Sequence, residues 1–196
     1  MPGKLLSDAI GWVPADHCQP TVVGEFSEIL ETHGAAGADG SGGPDSSDSR
    51  TRVAAAVAAV AQNVDGVRRF AFFFSRVPGT QTVPRAELWA LKHLLCLMLG
   101  GRQYTVYIDA SYVLNGLATR SRLYAEGTNG DLWKLICILL ERRSCELNFV
   151  KVNSHIESHE EWDKYDMTRE AMLLNEAADA ACKTAAERYP QSFDKR

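Results

Sequence analysis

Apolar positions along the chain follow two rhythms, one of period two and one of period 3.6, separated by clusters of turn-forming residues. The run VRRFAFFFSRV, β-branched and aromatic and closed by Pro78-Gly79, predicts a strand. RAELWALKHLLCLMLGG then places Leu88, Leu91, Leu95 and Met98 on one face of a helix that stops at Gly100-Gly101, with Pro84 just before it. YTVYIDASYVLNGL begins as an alternating strand from Tyr104 to Ile108 and changes to helical spacing at Asp109. NGDLWKLICILLERRS predicts a second long amphipathic helix, ELNFVKVNSHI a strand anchored by Leu147, Phe149 and Val150, and NEAADAACKTAAERY a closing Ala-rich helix.

Between these elements the pattern is less direct. RVAAAVAAVAQN has Val53, Val57 and Val60 at helical spacing among alanines, so local physics predicts a helix. AAGADGSGGPDSSDSR passes from small residues through an Asp-Gly-Ser turn into an exposed loop, and ESHEEWDKYDMTRE is a polar loop. Residues 1–33 contain Pro2, Pro14 and Pro20 and little periodicity before FSEILETH, a short helix. Strands alternating with helices imply an α/β fold.

Composition narrows the class. A chain of 196 residues, 45% hydrophobic, can bury one substantial core. Its 25 acidic against 21 basic residues give a net charge of −4, which lacks the basic excess usual in nucleic-acid binders. Carboxylates gathered around metal would account for part of that balance, because bound cations restore positive charge locally. The five cysteines are odd in number and none forms a CxxC pair, so they are expected to be reduced, mostly core thiols of an intracellular protein, cytoplasmic or nuclear. The N-terminus lacks a continuous apolar segment and no stretch approaches the roughly 18 apolar residues of a membrane span, so neither export nor membrane anchoring is expected.

Four acids, Asp39, Glu87, Asp109 and Asp179, each stand in a different short motif. Taken singly each has a plain alternative: a turn residue for Asp39, a helix cap for Asp109, a favourable charge near a helix start for Glu87, a solvated helix face for Asp179. Asp109 also follows the strand TVYI, at the carboxyl end where α/β sheets present ligands. Together, each beside a strand-end or helix-start signal, they suggest one carboxylate-lined site. Oxygen ligands from separated segments suit Mg²⁺ or Mn²⁺, no His or Cys cluster has zinc-ligand spacing, and two such ions can clamp both oxygens of an in-line phosphoryl displacement. His155, after the strand in KVNSH, could move a proton or be a surface loop histidine.

In order, ADGSGG, QTVPRAELWAL, YIDASYVLNGL, NGDLW, and VKVNSHI with NEAADAACKTA resemble the type 1 ribonuclease H family, and its retroelement variants most of all. The resemblance covers residues 34–189, leaving 1–33 as an N-terminal extension and 190–196 as a C-terminal tail. It implies a ribonuclease H-like α/β fold, a five-stranded mixed sheet in order 3-2-1-4-5 with helices on both faces, in which RVAAAVAAVAQN is the second strand. It further implies endonucleolytic hydrolysis of the RNA strand of RNA/DNA hybrids with two Mg²⁺ or Mn²⁺ ions, giving 5′-phosphate and 3′-hydroxyl ends. Asp39, Glu87, Asp109 and Asp179 would bind metal and His155 would be the catalytic histidine. Gly40 and Ser41 would lie against the RNA backbone, while Thr82 and Asn129 resemble residues that hold a DNA-strand phosphate.

Three departures stand out. Val83-Pro84 replace paired polar residues, the segment between NGL and NGDLW carries only Arg120 and Arg122, and the loop between His155 and Asn175 is long and acidic with His159 as a second candidate. A reverse transcriptase-like or other nucleic-acid-binding domain upstream is the expected partner, since the isolated chain should bind hybrid weakly. The rival readings are a non-catalytic ribonuclease H-like binding or interaction domain and a structure-selective DNA nuclease on the same fold.

Overall fold

The computed structural model describes residues 18–43, 54–119, 127–153 and 167–189. In chain order they form β1 (Thr21–Val23), α1 (Phe26–His33), β2 (Ala35–Ser41), β3 (Ala55–Val64), β4 (Val67–Arg76), α2 (Val83–Leu97), β5 (Gln103–Ile108), α3 (Ser111–Thr119), α4 (Gly130–Arg142), β6 (Glu146–Lys151) and α5 (Arg169–Arg188). One mixed sheet joins the strands in order β1-β4-β3-β2-β5-β6. β1 to β4, β4 to β3 and β3 to β2 are antiparallel pairings, and β5 runs parallel to both β2 and β6.

The sheet has six strands where five were expected. From β4 to β6 the order is the expected 3-2-1-4-5, and the additional strand is β1, whose Thr21, Val22 and Val23 pair with Phe74, Phe73 and Phe72. Behind it Phe26, Ile29 and Leu30 of α1 are buried in the main core, Phe26 meeting Phe73 with ring centroids 6.5 Å apart. Part of the expected N-terminal extension therefore belongs to the sheet and the core. Three residues are too few to announce a strand by alternation, and their side chains are half exposed.

Ala55 to Asn63 of RVAAAVAAVAQN lie in β3, which runs on to Val64, so the local helical spacing is overruled. Ala56, Ala58 and Val60 face the core that holds α1 and α2, whereas Ala55 and Val57 face α5. A strand buried on both faces is apolar at every position, and the period of two vanishes from its sequence. β4 alternates more openly, with Phe73 toward α1 and Phe72 and Phe74 toward α5. The long helices lie as their apolar faces require: Leu88, Leu91, Leu95 and Met98 are all fully buried, and α4 packs on α2 through Leu132 and Ile136.

Candidate active site

Asp39 and Asp109 are brought together by strand register. β2 and β5 are parallel neighbours with Ala38 opposite Ile108, so the next residue on each is an aspartate, at the carboxyl ends of adjacent strands. Asp39 is 7% exposed, and its Oδ1 accepts a 2.7 Å hydrogen bond from the Gly40 amide. The Asp109 carbonyl accepts from Lys151 Nζ at 2.6 Å, tying the end of β5 to the end of β6.

Glu87 reaches the same place because α2 lies unusually close to β2. A Cβ on Gly40 would stand 2.4 Å from the Glu87 amide nitrogen and 2.7 Å from the Ala86 carbonyl carbon, so only glycine lets this turn of the helix touch the strand. Glu87 is the fifth residue of α2, past the first turn, which weakens the helix-dipole explanation of its presence. Carboxylate oxygens of Asp39, Glu87 and Asp109 all lie within 4.8 Å of one another.

Burial, and then the neighbouring Asp109, push the Asp39 carboxyl up to about 6, although hydrogen bonds with Glu87 and Gly40 oppose the shift. Glu87 is raised well above the usual carboxylate range by burial and by the charges of Asp39 and Asp109. The cluster thus has more acid than it can keep ionised. An all-oxygen donor set with surplus negative charge fits a hard divalent cation.

Asp179, on α5, stands apart from the triad. It is close enough for its charge to raise Asp39, yet its carboxylate is paired with Lys183 Nζ at 2.7 Å on an exposed face. Beneath it Cys182 is buried, its thiol 3.1 Å from the Ala55 carbonyl oxygen, and burial together with Asp39 and Glu87 raises its pKa well above the usual thiol range. His155, and His159 with it, lie outside the described residues. Ser41 ends β2, its hydroxyl oxygen accepting from the Gly43 amide at 3.2 Å. Thr82 caps α2, and Asn129 precedes α4 with φ 63°.

Several functional neighbours escaped the sequence reading. Tyr112 donates a hydrogen bond to the Pro84 carbonyl, and its hydroxyl is raised first by burial and then by the charges of Glu87 and Asp109. Arg85 is 8% exposed and pairs with Asp131 across 2.6 Å. That pair left a trace in the sequence, because an arginine in the first turn of a helix opposes the dipole and needs a compensating anion. The five cysteines are all free, but only Cys18 and Cys182 are buried, Cys137 and Cys145 being half-buried and Cys96 exposed, so they are not mostly core thiols. No helix among the described residues is long and apolar enough to cross a membrane.

No protein-family model and no curated protein matches the chain. Solved structures do. LC9-RNase H1, a type 1 RNase H with the type 2 active-site motif, superposes with a TM-score of 0.53 at 20% identity over 81% of this chain and 74% of that one. The RNase H domain of prototype foamy virus gives 0.51 at 15% over 78% and 93%, and the protease-reverse transcriptase of the same virus 0.55 at 17% over 80% and 21%. Strand order, helices on both faces and these likenesses agree that the chain has a ribonuclease H-like fold.

Proposed function

We propose that this chain is a metal-dependent endonuclease that hydrolyses the RNA strand of RNA/DNA hybrids and leaves 5′-phosphate and 3′-hydroxyl ends. The observation that carries the reading is the buried cluster of Asp39, Glu87 and Asp109, within 4.8 Å of one another at strand ends of a ribonuclease H-like sheet. These three would hold Mg²⁺ or Mn²⁺, with Asp179 completing the ligand set of two ions. Bound there, such ions would activate a water for in-line attack and stabilise the leaving 3′ oxygen. Gly40 and Ser41 take the RNA backbone at the end of β2, and Thr82 and Asn129 take a phosphate of the DNA strand. His155 moves a proton and eases product release. Recognition is of hybrid shape, 2′-hydroxyls and phosphates. The catalytic motifs span residues 34–189, with residues 21–33 completing the sheet and core, and a reverse transcriptase-like or other nucleic-acid-binding domain supplies the affinity that a chain of net charge −4 lacks.

Asp109→Asn should abolish cleavage of an end-labelled hybrid in Mg²⁺ or Mn²⁺ while leaving the fold intact, with RNA and DNA duplexes as controls. Substantial cleavage by that variant would refute the reading. The engagement of Asp179 with Lys183, outside the triad, favours a second reading as a non-catalytic binding domain. Native protein that binds hybrid and is stabilised by Mn²⁺, but never cleaves, would select it.

A further inference from the structure

Arg85 is a buried cation, and four of its five N–H groups are engaged. Nε donates to the Pro78 carbonyl. One terminal nitrogen donates to Asn129 Oδ1 at 3.2 Å and to Asp131 Oδ1 at 2.9 Å, and the other to Asp131 Oδ2 at 2.6 Å. The guanidinium lies against Gly79, whose φ is 80° and where a Cβ would come within 2.9 Å of Nε. The loop that carries Gly79 is fixed from its other side by Gln81, whose amide nitrogen donates to the Val77 and Gly79 carbonyls at 2.7 and 2.9 Å. Its oxygen accepts from the Ala54 amide just before β3. The clamp therefore runs unbroken from the sheet to Asn129.

Asn129 stands at the N-cap of α4 and makes no side-chain capping bond there. Its carboxamide oxygen is taken by Arg85, so what it can offer a ligand is its two N–H donors. Thr82, three residues before Arg85 at the N-cap of α2, accepts from the Arg85 amide at 3.4 Å and keeps its hydroxyl proton to give.

We propose that Arg85 is a positioning residue for substrate: by holding the Asn129 oxygen it leaves the Asn129 amide donors free to take a phosphate, and so, together with Thr82 at the cap of the helix that carries Arg85, decides where one phosphate of the nucleic-acid backbone is held. The proposal deepens the reading of Thr82 and Asn129 as phosphate-binding residues and rests on it. Arg85 acts through Asn129, not as the phosphate's own partner, because the Asp131 carboxylate already claims its charge.

The test is hybrid binding by the full chain in an Asp109→Asn background, comparing Arg85→Lys, Asn129→Ala, their double variant and Asp131→Asn, each with its melting temperature. Arg85→Lys keeps the charge and loses the planar fork. It should weaken hybrid binding by about tenfold and leave the slope of log K against log salt unchanged, because the Asn129 and Thr82 donors that hold the phosphate carry no charge. In the Asn129→Ala background it should cost nothing further. Asp131→Asn should lower the melting temperature without weakening hybrid binding, since the Arg85–Asn129 bond survives. Equal losses from Arg85→Lys with and without Asn129, or the same loss from Asp131→Asn, would reduce Arg85 to a structural ion pair and overturn the proposal while leaving the nuclease reading intact. Native protein that neither binds nor cleaves hybrid at low salt with Mn²⁺ would overturn both.

Discussion

Three carboxyl groups within 4.8 Å of one another cannot all ionise cheaply when two of them are buried. Asp39 ionises in the fold only near pH 6, against 3.8 in an unfolded chain, and Glu87 is shifted in the same direction. The native state therefore binds more protons than the unfolded state between those values, and stability falls as pH rises through that window. The contribution is fully present below about pH 4 and is lost once pH passes about 6, later still where Glu87 governs. Without metal, Asp39→Asn should be more stable than the native chain at pH 8, by about 2–3 kcal/mol, with the difference shrinking toward pH 4. Urea titrations at pH 4, 6 and 8 would measure it, and an unchanged difference across that range would contradict the burial argument. Mn²⁺ should remove the advantage at pH 8 by supplying the missing counter-charge.

At the scale of elements, the site depends on how closely α2 can lie on β2. Gly40→Ala puts a methyl group 2.4 Å from the Glu87 amide, a contact that helix and strand can relieve only by separating. We expect a loss of about 1–3 kcal/mol, read by denaturant unfolding, together with a loss of metal-dependent stabilisation, because Glu87 moves with its helix. The sequence suggested an Asp-Gly turn at Gly40, but Asp39, Gly40 and Ser41 pair with β3 as the end of β2, and the tight packing of Gly40 was not legible because nothing in a dipeptide says what will lie against it. The same limit explains β3 and Arg85. The unbroken apolar run of alanines and valines in RVAAAVAAVAQN conceals a strand covered on both faces, and the partner that makes a buried arginine tolerable is 46 residues away. In contrast, α2, α4 and α5 were legible because each shows water one face, so its period survives in the sequence, and β4 and β5 because β-branched and aromatic residues mark them as strands. Asp39 and Asp109 were legible as strand-end acids, and it is the parallel register of β2 and β5 that makes them neighbours.

For the whole molecule, the strand and helix formed by residues 21–33 matter more than a terminal position suggests. A chain beginning at residue 34 would uncover the cavity left by Phe26, Ile29 and Leu30 and free the edge of β4, where Phe72, Phe73 and Phe74 now pair with β1. Core truncations of this kind cost several kcal/mol, and an unpaired aromatic edge invites association. Such a chain is expected to melt well below the full-length protein and to aggregate at lower concentration, which light scattering during a thermal ramp would show. If it melts at the same temperature, the core ends at β2 and not at α1.

Cys182 connects these scales. Its sulfur lies in the seam between α5 and the sheet, beneath the backbone that carries Asp39, with its pKa raised and no route for a reagent while the seam is shut. Only a thiolate in contact with solvent reacts with an alkylating agent, so the labelling of this one sulfur runs as a clock on how often α5 lifts from β2 and β3. The fold thus carries its own reporter of breathing at the acidic cluster. Slower labelling in Mn²⁺ would register ion occupancy with no nucleic acid present.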